Sequence, residues 1–174
     1  MELTDYNGTG HWCLRAIQER YSSKARRLQV SPLLALKPLE HDERSRRWIY
    51  PIMFQVIEGI ETGDKACIEI GVEFIEADDR LPFGRIIKSN TARALRRATL
   101  TQEQIERIRE RVVNMLVLGC VPREYREYAK LLRKIGIGDW WPFIEGRADL
   151  SNRYVMRYYN YFQKHVRDDV TTAQ

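Results

Sequence analysis

The chain has 174 residues, a formal net charge of +5, 44% apolar residues and 30% charged residues. This balance excludes a disordered chain and predicts one domain over residues 1–174, with its ordered core at residues 10–167. No apolar run approaches the roughly 18 residues that a membrane-spanning helix needs. The first residues also lack the basic and apolar segments of a secretory signal, so we expect a cytoplasmic protein without membrane contact.

The cysteines and histidines predict no metal or redox chemistry. Cys13, Cys67 and Cys120 are widely spaced and lie in apolar surroundings, which favours reduced, buried side chains. The three histidines are isolated, and no cysteine pair or Cys–His cluster has the spacing of a zinc site. We therefore predict no metal, no cofactor and no catalytic residue.

Three helices are predicted in the first half of the chain. Residues 10–29 repeat apolar side chains every three or four positions, and residues 42–61 do the same, with Asp42 as the cap and a bend at Pro51. Residues 65–77 fit a strand and a helix equally well. We predict a helix there, because a strand without a partner would leave its backbone groups unpaired.

The next helices have clearer starts. Pro82 opens a fourth helix within residues 80–98, since its missing N–H costs nothing in a first turn. Thr101 and Gln104 form a capping box at the start of the fifth helix. The sixth is predicted over about residues 122–135.

An aromatic connection over residues 136–146 and a last helix from near Asp149 or Ser151 complete the chain, with residues 168–174 expected to fray. The predicted fold class is therefore all-α, an irregular multi-helix bundle of about seven helices.

A second arrangement of the same helices is also compatible with the sequence. Pro82 and Pro122 lie 40 residues apart, and each opens a predicted helix. That spacing is typical of stacked helical pairs of the HEAT or armadillo kind, although the two segments share little further identity.

The stretch of residues 80–100 is strongly basic: six of its 21 residues are Arg or Lys and none is acidic. On a helix, these positive charges would gather on the face away from the core, where like charges three or four positions apart repel one another. No acidic residue of the stretch compensates them, so an anionic partner would stabilise them. The predicted partner-binding residues are Arg85, Lys88, Arg93, Arg96 and Arg97. The alternatives are an ordinary solvated face, or pairing with carboxylates of another helix.

Aromatic residues are concentrated near the end of the chain. The predicted partner-binding residues there are Trp140, Trp141, Tyr154, Tyr158 and Tyr161. Tyr154, Tyr158 and Tyr161 share a helix stripe flanked by arginines, a composition typical of protein interfaces and of base-stacking surfaces. The alternative is a small aromatic core that attaches the last helix to the sixth.

Acidic residues precede the basic stretch, at Glu69, Glu73, Glu76, Asp78 and Asp79. No histidine has a ligand spacing with them and no calcium-loop pattern fits, so a metal site is not favoured. We interpret them as a solvated acidic face that can also pair with the arginines that follow.

The leading functional hypothesis is a non-enzymatic α-helical protein-binding or scaffold domain. Its contacts would be the Arg-rich helix of residues 80–98 and the Tyr/Trp-rich C-terminal region, with an acidic surface on the partner protein. A nucleic-acid-binding protein that uses the same basic helix is the first alternative. An enzyme with a dispersed site is the second, although the absence of catalytic motifs weighs against it. The oligomeric state is left open.

Overall fold

The computed structural model describes residues 2–172, and the side chains of residues 2–166. The chain folds as two compact units, Met1–Leu100 and Thr101–Gln174. Residues 2–172 form eight α-helices and three short strands, which confirms the predicted all-α, multi-helix class. The single domain and the stacked helical pairs stay predictions. The fraying predicted for residues 168–174 falls beyond the described side chains.

The four helices of the first unit are α1 (Leu14–Arg27), α2 (Met53–Glu61), α3 (Lys65–Ala77) and α4 (Gly84–Leu95). Helix α3 packs against the other three, so it is buried on almost every side. The predicted helix at residues 65–77 is thus confirmed. A helix that is enclosed by neighbours keeps only a narrow polar face, here Glu69, Glu73 and Glu76, which explains why its sequence shows no clear helical period.

Hydrogen bonds at the start of α3 join it to α1. Asp64 caps α3 by accepting the Cys67 backbone N–H at 2.8 Å, and it accepts the Tyr21 hydroxyl at 2.8 Å. The same hydroxyl accepts the backbone N–H of Leu34 at 2.7 Å. Burial raises the pKa of Tyr21 to about 12. This network also holds the segment after α1 in place.

A small sheet replaces part of the predicted second helix. Its strands are β1 (Glu2–Asp5), β2 (Glu40–Glu43) and β3 (Arg46–Ile49), in the order β1-β3-β2. Strand β3 runs parallel to β1 and antiparallel to β2.

The helix predicted over residues 42–61 is therefore wrong before Met53. Ion pairs across the sheet explain the difference, because opposite charges on neighbouring strands stabilise their pairing. Arg47 pairs with Glu40 and Asp42, and Arg46 pairs with Glu2 at 3.2 Å.

Helices α2 and α3 approach closely at glycine. A Cβ at Gly71 would lie 2.6 Å from Ile60 Cδ1. We expect Gly71→Ala to lower the free energy of unfolding by about 1–2 kcal/mol, because overpacking outweighs the better helix propensity of alanine. Ile60→Val removes the clashing methyl group, so the double variant should lose less than the two single variants together. Urea denaturation of all four proteins measures this coupling, and additive losses would contradict the packing argument.

The three cysteines are free thiols with different exposure: Cys67 is buried, Cys13 is half-buried and Cys120 is exposed. Burial raises the pKa of the Cys67 thiol far above its ordinary value. The prediction of buried cysteines is correct for Cys67 and wrong for Cys120.

The second unit has the helices α5 (Gln102–Val117), α6 (Tyr125–Ile135), α7 (Trp141–Arg147) and α8 (Arg153–Thr172). The capping box is confirmed: Gln104 N–H donates to Thr101 Oγ1 at 3.2 Å, and Thr101 N–H donates to Gln104 Oε1 at 3.0 Å. Helix α7 replaces much of the predicted aromatic connection. Among the helices of residues 2–172, none has both the length and the apolar character needed to cross a membrane.

Two contacts fix α6 against its neighbours in this unit. Arg109 of α5 donates to the carbonyl oxygens of Gly136 at 2.7 Å and Ile135 at 2.8 Å, which satisfies acceptors left open at the end of α6. The buried Tyr125 hydroxyl donates to the Val112 carbonyl at 2.9 Å. Both contacts therefore fix α6 against α5.

Candidate partner-binding surface

Lys88 of the basic stretch lies inside the protein. It is only 6% exposed, and its Nζ lies 2.7 Å from Asp78 Oδ1 and donates to the Asp78 carbonyl oxygen at 3.0 Å. Asp78 ends α3 in a left-handed conformation. The long lysine side chain thus brings a positive charge to the negative end of a helix, a favourable position. The prediction that Lys88 faces away from the core is wrong.

Other charges of the stretch also have partners within the protein. Arg97 Nη1 lies 3.3 Å from Glu61 Oε1, and Arg93 Nη1 donates to Asn90 Oδ1 at 3.3 Å. Neither Arg93 nor Arg96 is without an interaction partner. The predicted row of uncompensated charges is therefore wrong for Lys88 and Arg97.

Part of the predicted acidic face has an internal role. Asp78 pairs with Lys88, and Glu73 pairs with Lys24 of α1. The acidic residues were expected to pair with the arginines that follow, and Asp78 pairs instead with the lysine of the basic stretch. In contrast, Arg85 is exposed in the first turn of α4.

The two tryptophans of the C-terminal region are half-buried within their own unit. The Trp141 ring lies 5.1 Å from that of Tyr159, and the Trp140 ring lies 5.6 Å from that of Phe143. These contacts agree with the alternative of a small aromatic core. Contact between the tryptophans and a partner stays a prediction.

Each of the three predicted tyrosines of α8 carries an arginine over its ring. The distances from guanidinium carbon to ring centroid are 4.7 Å for Arg153 and Tyr154, 5.8 Å for Arg157 and Tyr158, and 5.9 Å for Arg133 and Tyr161. We call these six residues the Arg/Tyr stripe.

The stripe is held in place by α6. The rings of Tyr125 and Tyr158 meet edge to face at 4.8 Å, and Arg133 also belongs to α6. Burial raises the pKa of Tyr158, while Arg157 and Arg126 act in the opposite direction. The sequence pattern of α8 indicated its tyrosines and two flanking arginines. It did not indicate Arg133, because that contact joins two helices.

The arginines of the stripe have no carboxylate partner among the side chains that the structure describes. Among the described side chains, none of Arg133, Arg153 and Arg157 forms an ion pair with Asp or Glu; their polar contacts are His165 for Arg133 and the Tyr154 hydroxyl for Arg153. Tyr154 is 51% exposed. An arginine that stacks on an aromatic ring keeps the N–H donors at the edge of its guanidinium group. Two of these donors can bind one carboxylate or phosphate group through parallel hydrogen bonds.

Within the described residues, no group of three or more His, Cys, Asp or Glu side chains is placed to hold a metal ion. The Arg/Tyr stripe is the candidate surface on which the proposal below is based. No protein-family model, no curated protein and no solved structure matches this chain.

Proposed function

We propose that the protein is a non-enzymatic α-helical binding domain that recognises an acidic surface of a partner protein through the Arg/Tyr stripe. The supporting observation is the stacking of Arg133, Arg153 and Arg157 on tyrosine rings without a carboxylate partner among the described side chains. Arginine and tyrosine are enriched in the energetically important centres of protein interfaces. The cytoplasmic location belongs to the same proposal.

The basic stretch contributes less than its sequence indicates. Lys88 is removed from the contact surface by its burial, whereas Arg85 and Arg93 are exposed. These exposed arginines belong to the first unit, so in this proposal they are at most a separate positive surface.

A nucleic acid is the second candidate, because arginines without counterions also fit phosphates. The ring geometry favours a protein. Unpaired bases bind by stacking on open aromatic faces, and one face of each stripe tyrosine is covered by an arginine of the chain itself. The carboxylates of a protein partner, in contrast, can bind to the N–H groups at the outer edge of those arginines and do not require an open ring face.

The double variant Arg153→Glu/Arg157→Glu tests the protein-binding function. We expect it to lose the partners that the wild-type protein retains from nuclease-treated lysate under chemical cross-linking. With the purified partner, its affinity should fall at least about tenfold. The control Arg123→Glu/Lys164→Glu makes the same change of charge at two exposed positions outside the stripe, and it should bind like the wild type.

Two results would contradict the proposal. One is an identical set of partners for the stripe variant and its control. The other is tight binding of labelled single-stranded RNA or DNA at about 50 mM salt that weakens steeply by about 200 mM and disappears in the stripe variant. The second result would assign the stripe to nucleic acid.

A further inference from the structure

Three aromatic rings meet at the surface of the first unit. The ring centroids of Tyr6 and Phe83 lie 5.0 Å apart, those of Tyr6 and Tyr50 lie 6.0 Å apart, and those of Tyr50 and Phe83 lie 6.1 Å apart. Ile86 follows one helical turn after Phe83. Phe83 is 38% exposed and Ile86 is 49% exposed. We call these four residues the aromatic platform.

A buried asparagine joins the backbone segments that carry the two tyrosines of the platform. The Asn7 side-chain amide donates to Asp5 Oδ1 at 2.7 Å and to the Tyr50 carbonyl oxygen at 3.3 Å. Its oxygen accepts the backbone N–H of Ile52 at 2.7 Å. The backbone beside Tyr6 is thus bonded to the backbone at Tyr50 before any partner arrives. Binding to such a preformed surface costs little conformational entropy.

The first residues of α4 have an unfavourable backbone conformation and an unfavourable charge. Phe83 has φ +56°, a left-handed conformation that is unfavourable for a residue with a Cβ. It caps the helix without a side-chain hydrogen bond, and the first turn contains Arg85 instead of an acidic residue. A positive charge at a helix N-terminus is unfavourable. Strain of this kind is concentrated at functional sites.

Two arginines, Arg80 and Arg85, flank Phe83 of the platform in the sequence. Arg80 and Arg85 are exposed, and neither forms an ion pair with a carboxylate of the described residues. The acidic residues closest in sequence are already engaged: Asp78 pairs with Lys88, and Asp79 accepts the indole N–H of Trp12 at 2.8 Å. An anionic partner would supply the missing charges.

We propose that the aromatic platform binds an acidic peptide segment that carries one large apolar side chain. The apolar side chain packs on Phe83 and Ile86, and the carboxylates on either side of it pair with Arg80 and Arg85. A cationic ligand on the rings of Tyr6, Tyr50 and Phe83 is disfavoured, because Arg80 and Arg85 would repel it. This surface belongs to the first unit and does not depend on the Arg/Tyr stripe.

A random dodecapeptide library displayed on phage, with the full chain as bait, is the probe. We expect enrichment of peptides in which a large apolar residue stands beside Asp or Glu. When these peptides are synthesised and labelled, fluorescence anisotropy should show affinities at least about tenfold weaker for Ile86→Asp and for Arg85→Glu than for the wild type.

The design separates lost binding from lost folding. Both substitutions place a carboxylate in the first turn of α4, where it interacts favourably with the helix dipole, so thermal stability should stay equal or rise. The controls Leu33→Asp and Arg27→Glu make the same changes at exposed positions elsewhere in the unit and should keep the wild-type affinity.

Several outcomes would overturn the proposal. One is the absence of selected peptides, and another is equally tight binding of the peptides to Ile86→Asp and to the wild type. Peptides that respond only to Arg153→Glu/Arg157→Glu would be assigned to the stripe. Oligonucleotide binding that is lost in Arg85→Glu would assign the platform to nucleic acid. Self-association that is lost in Ile86→Asp would assign it to a second copy of the chain.

Discussion

Lys88→Met is expected to lower the free energy of unfolding by about 3 kcal/mol. Methionine keeps the apolar stem but removes the ammonium group, which lies 2.7 Å from Asp78 Oδ1 in a site where Lys88 is 6% exposed. Removing one member of a buried ion pair takes the cationic partner from the Asp78 carboxylate and a donor from the Asp78 carbonyl oxygen, and breaking such a pair is strongly destabilising. Urea denaturation followed by circular dichroism measures the loss.

The matched control is Arg85→Met, three positions earlier on the same helix and exposed. It should change stability by less than about 0.5 kcal/mol, because solvated surface charges contribute little. The Lys88→Met loss should also persist at high salt, since a buried pair is poorly screened. A loss below about 1 kcal/mol would show that the bond to Asp78 contributes little to the fold.

Asn7→Ala is expected to cost about 2–4 kcal/mol. The substitution removes the acceptor of the buried Ile52 N–H and both amide donations, to Asp5 and to the Tyr50 carbonyl oxygen. Buried polar groups that lose their partners carry their full desolvation cost. The same denaturation experiment measures the change, and near-ultraviolet circular dichroism reports whether the environment of the tyrosines is altered.

Asn7→Asp is the informative comparison for this site. It keeps the acceptor for Ile52 but places a second carboxylate at the position now 2.7 Å from Asp5 Oδ1. Two carboxylates so close raise the pKa of one of them in the folded state. Stability should therefore fall as the pH rises through the folded pKa and recover at lower pH. A loss that does not depend on pH would contradict the hydrogen-bond geometry given for Asn7.

The helices with a local signal were predictable, and the sheet was not. The capping box at Thr101 depends on residues three positions apart, and its two hydrogen bonds form as the sequence predicts. Strands β2 and β3 are four residues long, and the turn between them uses Arg44 at φ +53° instead of glycine. Their stabilising ion pairs include Glu2, a residue far from them along the chain.

The candidate site was also predictable only where its contacts are local in sequence. Periodicity indicated the outer face of α8, and the described contacts place an arginine over each of its three tyrosines. Periodicity does not show which charges have partners, because those partners come from other elements. Asp78 is ten residues from Lys88 and Glu61 is 36 residues from Arg97, so the compensation of the basic stretch depends on the tertiary fold.

The different exposure of the three cysteines has a practical consequence for reactivity. The thiolate is the nucleophile, so Cys67, buried and with a raised pKa, should resist maleimide reagents while the unit around it stays closed. Cys120 is open to the same reagents and offers an attachment point for a fluorophore in the second unit. Cys120 can therefore be labelled selectively. The rate at which Cys67 is modified would measure how often the helices that enclose it open.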